Sequence, residues 1–256
     1  HECQLIDTFV AVFLFNFVEA MEDNTITLTF PSLFKETVRK HGKSNAYAFV
    51  GEEPITYESA LKKINALSAF LEKKGINPGD KVALLSTNMP NWGISYFSIT
   101  FMGAVVVPVL PDFSNTEVAN VLDHSDAKAL FISSGLLNRI EGYKSVNLKT
   151  IIQIEDFSLL LSGMNTLEFD AEAVPTGEYE VSEDDLASII YTSGTTGRSK
   201  GVMLTHKNIS FNALKGKVIQ PLDDECRLSC PCYAAAVRKV HAIFPPLISQ
   251  APTACR

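Results

Sequence analysis

The chain of 256 residues has no cysteine between Cys3 and Cys226, a single tryptophan, and no apolar run approaching the roughly 18 residues that cross a bilayer. Each absence removes a class of protein. Five cysteines so unevenly placed make no disulfide framework in a chain of this length, and a reducing, cytoplasmic setting is expected. Basic residues are in deficit, 22 against 29 acidic, which gives a net charge of −7 and no electrostatic footprint for nucleic acid. No internal repeat and no low-complexity block is visible, which excludes solenoids and arrays. A basic segment ahead of the first apolar run is also missing. His1, Glu2 and Asp7 stand where a secretory signal would carry positive charge. Acidic residues vanish altogether from Cys226 to Arg256, in a chain that is acidic elsewhere.

What is present centres on Ile189-Ile190-Tyr191-Thr192-Ser193-Gly194-Thr195-Thr196-Gly197-Arg198-Ser199-Lys200-Gly201. An apolar β-type run, Leu186 to Tyr191, leads in, and Val202-Met203-Leu204 leads out. Between them lies a loop suited to an anion. Gly194 and Gly197 allow positive φ and close approach of N–H groups to a ligand. Thr192, Ser193, Thr195 and Thr196 supply hydroxyl donors, and Lys200 supplies a compact positive charge. The bland alternative is a Gly/Ser/Thr surface turn. The donor density, the lysine and the strand on each side argue against it. The order G-x-x-x-x-G-K-[ST] is not met, since Gly197 follows Gly194 too closely and Gly201 follows Lys200. The residues after Lys200 are β-formers, so no helix N-terminus faces the ligand.

Strand, hydroxyl-rich loop and second strand together resemble the phosphate-binding signature of the adenylate-forming superfamily, which includes acyl-CoA synthetases, luciferases and non-ribosomal peptide adenylation domains. Leu204-Thr205-His206-Lys207-Asn208 is similar to the family's continuation from strand to helix. Ile55-Thr56-Tyr57, Asn88-Met89-Pro90-Asn91-Trp92 and Gly103-Ala104-Val105-Val106-Val107-Pro108 resemble earlier family segments, so the likeness runs from about Thr27 to about Leu228. It is nearest to acyl-CoA synthetases for fatty acids. The resemblance implies that ATP and a carboxylic acid form an acyl-adenylate and pyrophosphate, and that the thiol of CoA then displaces AMP. It implies that Thr192, Ser193, Gly194, Thr195, Thr196, Gly197 and Lys200 hold the β- and γ-phosphates. Mg²⁺ is implied as a cofactor, but its ligand has no counterpart here. Tyr191 is expected to pack at the strand end, and Arg198 and Ser199 receive no role.

The expected fold is α/β, with mostly parallel sheets and flanking helices, an incomplete N-terminal domain of the adenylate-forming type. Thr56 is placed to cap a helix with a Leu61, Ile64, Leu67, Leu71 stripe that Gly75 ends. Ser114 to Glu117 forms a capping box ahead of Val118, Val121 and Leu122. A helix is expected from Pro31, with Leu33, Phe34 and Val38 on one side, and another over 91–102 with Ile94, Phe97 and Phe101 as its stripe. Strands are expected at 46–50, 81–85, 105–110, 129–132 and 151–154, with 162–185 joining two sub-sheets.

Three parts are delimited on the sequence: a leader over 1–20, a partial AMP-binding domain over 21–227 and a divergent tail over 228–256. The leader, with its apolar run Phe9 to Phe15, reads either as sequence translated ahead of Met21 or as a hydrophobic helix in peripheral contact with a membrane. In and just ahead of the tail, Cys226, Cys230, Cys232 and His241 lack C-x₂-C pairs. A metal site there competes with an out-of-frame tail, and the latter is preferred. By resemblance, the family's adenine- and ribose-binding residues and its adenylating lysine have no counterpart before Arg256. Two functions therefore stand: an AMP-forming acid–thiol ligase, inactive in this form, or a non-catalytic product, either a nucleotide-phosphate-binding remnant or a reading frame without function.

Overall fold

The computed structural model describes residues 27–47, 53–160, 169–177, 179–192 and 200–219. The first helix, α1 (Phe30–His41), starts one residue before the expected Pro31. Thr29 is its N-cap, its hydroxyl accepting from Ser32 N, and Pro31 occupies the first turn, where no N–H is needed. Leu33 and Phe34 are fully buried on its inner side. Short strands β1 (Asn45–Tyr47) and β2 (Ile55–Thr56) pair antiparallel, and the expected strand residues 48–50 lie outside the described residues. Thr56 caps α2 (Tyr57–Lys73) through Ser59 N, and Gly75 follows at φ +81°, as a helix stop requires. The expected stripe is the buried face: Ile64, Leu67 and Leu71 have no exposed surface, and Leu61 packs beside them.

The alternation then becomes regular. β3 (Lys81–Leu85), α3 (Pro90–Phe101), β4 (Val105–Val109), α4 (Asn115–Ser125) and β5 (Ala129–Ile132) follow in turn. A 3-10 helix (Ser134–Ile140) precedes β6 (Thr150–Gln153). After β7 (Leu186–Thr192) and β8 (Lys200–Thr205) comes α5 (His206–Ile219). The capping box at α4 is complete: Glu117 N donates to Ser114 Oγ at 3.3 Å, and Ser114 N donates to Glu117 Oε2 at 2.8 Å.

One six-stranded sheet has the order β6-β5-β3-β4-β7-β8, parallel except for the last pair. The chain steps from β3 to β4 in one direction and from β4 back past β3 to β5 in the other. Right-handed crossovers then require α3 and α4 on opposite faces. The side chains agree. Val82, Leu84, Val106 and Phe131 pack with α1, α2 and α3, whereas Ala83, Leu85, Val107 and Leu130 pack with α4. Strands buried on both faces explain the unbroken Val/Leu/Ile runs.

The expectation that 162–185 joins two sub-sheets is corrected. β6 and β7 belong to the same sheet, and the connection carries the chain from its edge to the far side of β4. Its described part crosses the α2 face, where Phe169 meets Phe70 and Phe157, and Thr176 N donates to Glu72 Oε2 at 3.0 Å. Periodicity reveals a strand but not its neighbours, which is why the single sheet was not visible beforehand. The leader and the tail lie outside the described residues, as do Cys226, Cys230, Cys232 and His241.

Candidate functional site

All the parallel strands end at one edge of the sheet, and that edge is where open α/β sheets bind ligands. The chain leaves β4 toward β5 and leaves β7 toward β8, in opposite directions. Connections thus diverge at the boundary between β4 and β7, as they do between β5 and β3. The hairpin carrying the glycine- and hydroxyl-rich stretch sits at the first of these boundaries.

β7 and β8 are held by six antiparallel pairs, from Leu186↔Thr205 to Thr192↔Lys200. The last pair closes the loop, so Thr192 and Lys200 are neighbours across the two strands. Ser193, Gly194, Thr195, Thr196 and Gly197, like Arg198 and Ser199, lie outside the described residues. Lys200 is exposed and makes no ion pair among the described residues. Other lysines are differently placed: Lys128 Nζ lies 2.7 Å from Asp80, and Lys207 Nζ 3.0 Å from Glu183.

Gly201 has a specific reason to be glycine. A Cβ there would lie 2.8 Å from Ile189 Cγ2 and 3.3 Å from the Tyr191 ring. The two strands approach closely because position 201 has no side chain. Tyr191, only 4% exposed, lies against this gap and packs with the α4 side of the core. Its hydroxyl is hydrogen-bonded to His124 Nδ1 at 2.7 Å, with the rings edge-on at 5.6 Å. Burial raises the Tyr191 phenol above its ordinary value. Tyr191 packs at the strand end as expected. Its bond to His124 was not legible, because 67 residues of chain separate them.

On its other side the hairpin lies alongside β4. Ladder pairing between β4 and β7 is confined to Val106↔Ser188, whereas β3 and β4 pair over five residues. Ser188 Oγ donates to Val106 O at 3.1 Å, so that carbonyl faces β7. Backbone polar groups two residues apart in a strand face the same way, and the next such position is Pro108. It has no N–H to offer β7, so one ladder bond is missing at that position.

The far end of the hairpin is tied to α1. His206, fully buried, accepts from Phe30 N through Nδ1 at 3.2 Å, and its ring meets Phe30 edge-on at 4.9 Å. Burial lowers its pKa to about 4, against the opposing charge of Asp185. Glu183 accepts from Leu28 N at 2.7 Å, and this bond, followed by that from Lys207, holds its carboxyl below the usual range. Among the described residues no group of three or more His, Cys, Asp or Glu could hold a metal ion. No described helix is long and apolar enough to cross a membrane.

The family described as AMP-binding enzyme matches residues 34–251. Among curated relatives, the chain is 29% identical over 201 residues to a 3-[(3aS,4S,7aS)-7a-methyl-1,5-dioxo-octahydro-1H-inden-4-yl]propanoyl:CoA ligase of Rhodococcus jostii, covering 70% of this chain and 38% of the relative. It is 30% identical over 241 residues to a long-chain-fatty-acid–CoA ligase of Haemophilus influenzae, covering 82% and 43%. The chain thus spans less than half the length of both. Among solved structures, the Klebsiella oxytoca NpsA N-terminal subdomain superposes with a TM-score of 0.59 at 23% identity, over 73% of this chain and 45% of that one. That likeness shows the fold, an N-terminal subdomain with a mostly parallel sheet.

Proposed function

Because the chain belongs to the family of AMP-binding enzymes, we propose that its β7–β8 hairpin holds the β- and γ-phosphates of ATP while a carboxylic acid is activated as an acyl-adenylate. The observation that carries this reading is the closing pair Thr192↔Lys200. It sets an exposed lysine at the mouth of a loop of glycines and hydroxyls, beside the boundary between β4 and β7. In this reading Thr192, Ser193, Gly194, Thr195, Thr196 and Gly197 offer the phosphates hydroxyl and N–H donors, and Lys200 offsets charge on the departing pyrophosphate. Esterifying the acid to AMP turns a poor acyl donor into one with a good leaving group, which the thiol of CoA can displace. The acid is proposed to be a fatty acid, in keeping with the Haemophilus relative. The setting is proposed to be cytoplasmic.

A loop that addresses only the phosphate end leaves adenine, ribose and the attacking carboxylate to be held elsewhere. These 256 residues alone are therefore proposed not to complete the reaction. The test is calorimetric titration of ATP against the protein and its Lys200→Ala variant. A charge-assisted contact contributes about 1.5–3 kcal/mol, so the variant is expected to bind roughly 10- to 150-fold more weakly. Equal binding by both proteins would remove the hairpin from the reading. Carboxylate-dependent exchange of labelled pyrophosphate into ATP, run with acids of several chain lengths, tests the acid and the incompleteness together. Clear exchange above the Lys200→Ala control would refute the latter.

A further inference from the structure

The hairpin has an attachment that its proposed role leaves unused. Its backbone ladder to the sheet has one full pair, Val106↔Ser188, and lacks a bond at Pro108, which faces β7 without an N–H. Beyond Ser188, the residues Ile189 to Thr192 pair with β8, an edge strand whose Val202 and Met203 are exposed. Side chains add to what holds the segment that delivers the chain into the loop. One of these contacts is polar and directional: Tyr191 Oη to His124 Nδ1, 2.7 Å, across to the last turn of α4.

We propose that His124 is a positioning residue for the anion site: by holding the Tyr191 hydroxyl it fixes the exit end of β7 against α4, and so fixes where the loop begins. The inference rests on the hairpin being the ATP-phosphate site. Tyr191 is the residue immediately before Thr192, so a shift of its ring is passed to the loop across a single peptide unit. The ring is buried, lies over Gly201 and packs with the α4 side of the core. His124 is anchored in turn, since its helix is pinned by the buried Val118, Val121 and Leu122. Neither residue needs to touch the ligand.

The experiment measures inorganic pyrophosphate affinity by calorimetry for the wild-type chain and for His124→Ala, Tyr191→Phe, the double variant, His124→Asn and Lys200→Ala. Melting temperatures are recorded for all six. Tyr191→Phe keeps the ring over Gly201 and removes only the hydroxyl. Asparagine carries a hydrogen-bonding atom near the position of Nδ1. The expected result is a loss of about two- to tenfold in affinity for His124→Ala and for Tyr191→Phe. The double variant is expected to lose no more than either single change, and His124→Asn to recover most of the loss. A purely structural role would lower the melting temperature without this pattern of shared loss and rescue. Wild-type affinity in Tyr191→Phe, or additive losses in the double variant, overturns the inference while Lys200→Ala still binds weakly. If Lys200→Ala also binds as the wild type does, the reading of the hairpin itself fails, and the positioning role fails with it.

Discussion

Gly201→Ala tests the packing at the base of the hairpin most directly. The added methyl would stand 2.8 Å from Ile189 Cγ2 and between 3.3 and 3.4 Å from two atoms of the Tyr191 ring. A comfortable carbon–carbon separation is about 3.5–4.0 Å. The nearest contact must therefore open by roughly 1 Å. Ile189 cannot swing aside freely, because its branch at Cβ restricts χ1. The tyrosine ring blocks the other side. The remaining relief is for β8 to move outward, which it can do as an edge strand, at the expense of its bonds to β7 near Tyr191↔Gly201. Overpacking of this kind costs about 1–3 kcal/mol, and the edge position favours the lower half of that range. For a chain of this size the melting temperature is expected to fall by roughly 3–6 °C. Thermal unfolding followed by circular dichroism, with urea unfolding alongside, gives the number. Ile189→Ala removes the closest atom, so the double variant should cost less than the sum of the two single changes. A Gly201→Ala protein that melts with the wild type, or strict additivity with Ile189→Ala, would falsify the steric argument.

Two further outcomes follow from buried or capping groups. His206 titrates at about 4 in the folded chain against an ordinary 6.5, so the unfolded chain binds the extra proton first as pH falls. Stability is therefore complete above pH 6.5, falls by about 2 kcal/mol between pH 6.5 and 5, and stops falling on this account below about pH 4. Urea unfolding of the wild type and His206→Asn at pH 7 and pH 5 checks it: the variant should lack that part of the slope, and parallel curves would disprove it. Ser114→Ala removes the hydroxyl half of the capping box on α4, leaving the backbone N–H of residue 114 to donate to Glu117, and should cost about 1 kcal/mol, read as a lower urea midpoint at unchanged slope. Ser114→Asp should keep most of the stability, since an aspartate can still accept from Glu117 N.

Much of this architecture was legible because its signals are local. Thr56 and Ser114 announce helix starts through hydroxyls three residues from the N–H they accept, and Gly75 announces a stop through its positive φ. The runs Lys81–Leu85 and Ala129–Ile132 are strands over the residues expected, because unbroken apolar runs of that length suit a sheet covered on both faces. The hairpin was legible from the hydroxyls and glycines between two β-type runs. The rest depends on residues distant in sequence. That β7 would lie beside β4 is decided by tertiary packing, with Ser188 meeting Val106 across 82 residues. The pairing of His124 with Tyr191 has no sequence signal either. A histidine in a last helical turn is explained locally by the helix dipole, and nothing nearby points to a phenol. Gly201 reads as the end of the glycine-rich stretch, whereas its real constraint is the ring on the neighbouring strand.

Pro108 also divides the sheet into units of unequal cooperativity. β3, β4, β5 and β6 are joined by continuous parallel ladders of four or five residues, so opening one exposes unpaired groups on the next. The hairpin's ladder to that block has the single full pair Val106↔Ser188 and lacks a bond at Pro108, while β7 and β8 share six pairs. Amide hydrogens of β7 and β8 should then exchange through openings that leave the four-stranded block intact, at a free energy below that of global unfolding. A proline in the middle of a sheet thus gives the chain two protection levels, with the lower one on the strands that carry the ligand loop. Natural variation at position 108 would move that lower level without touching the loop itself.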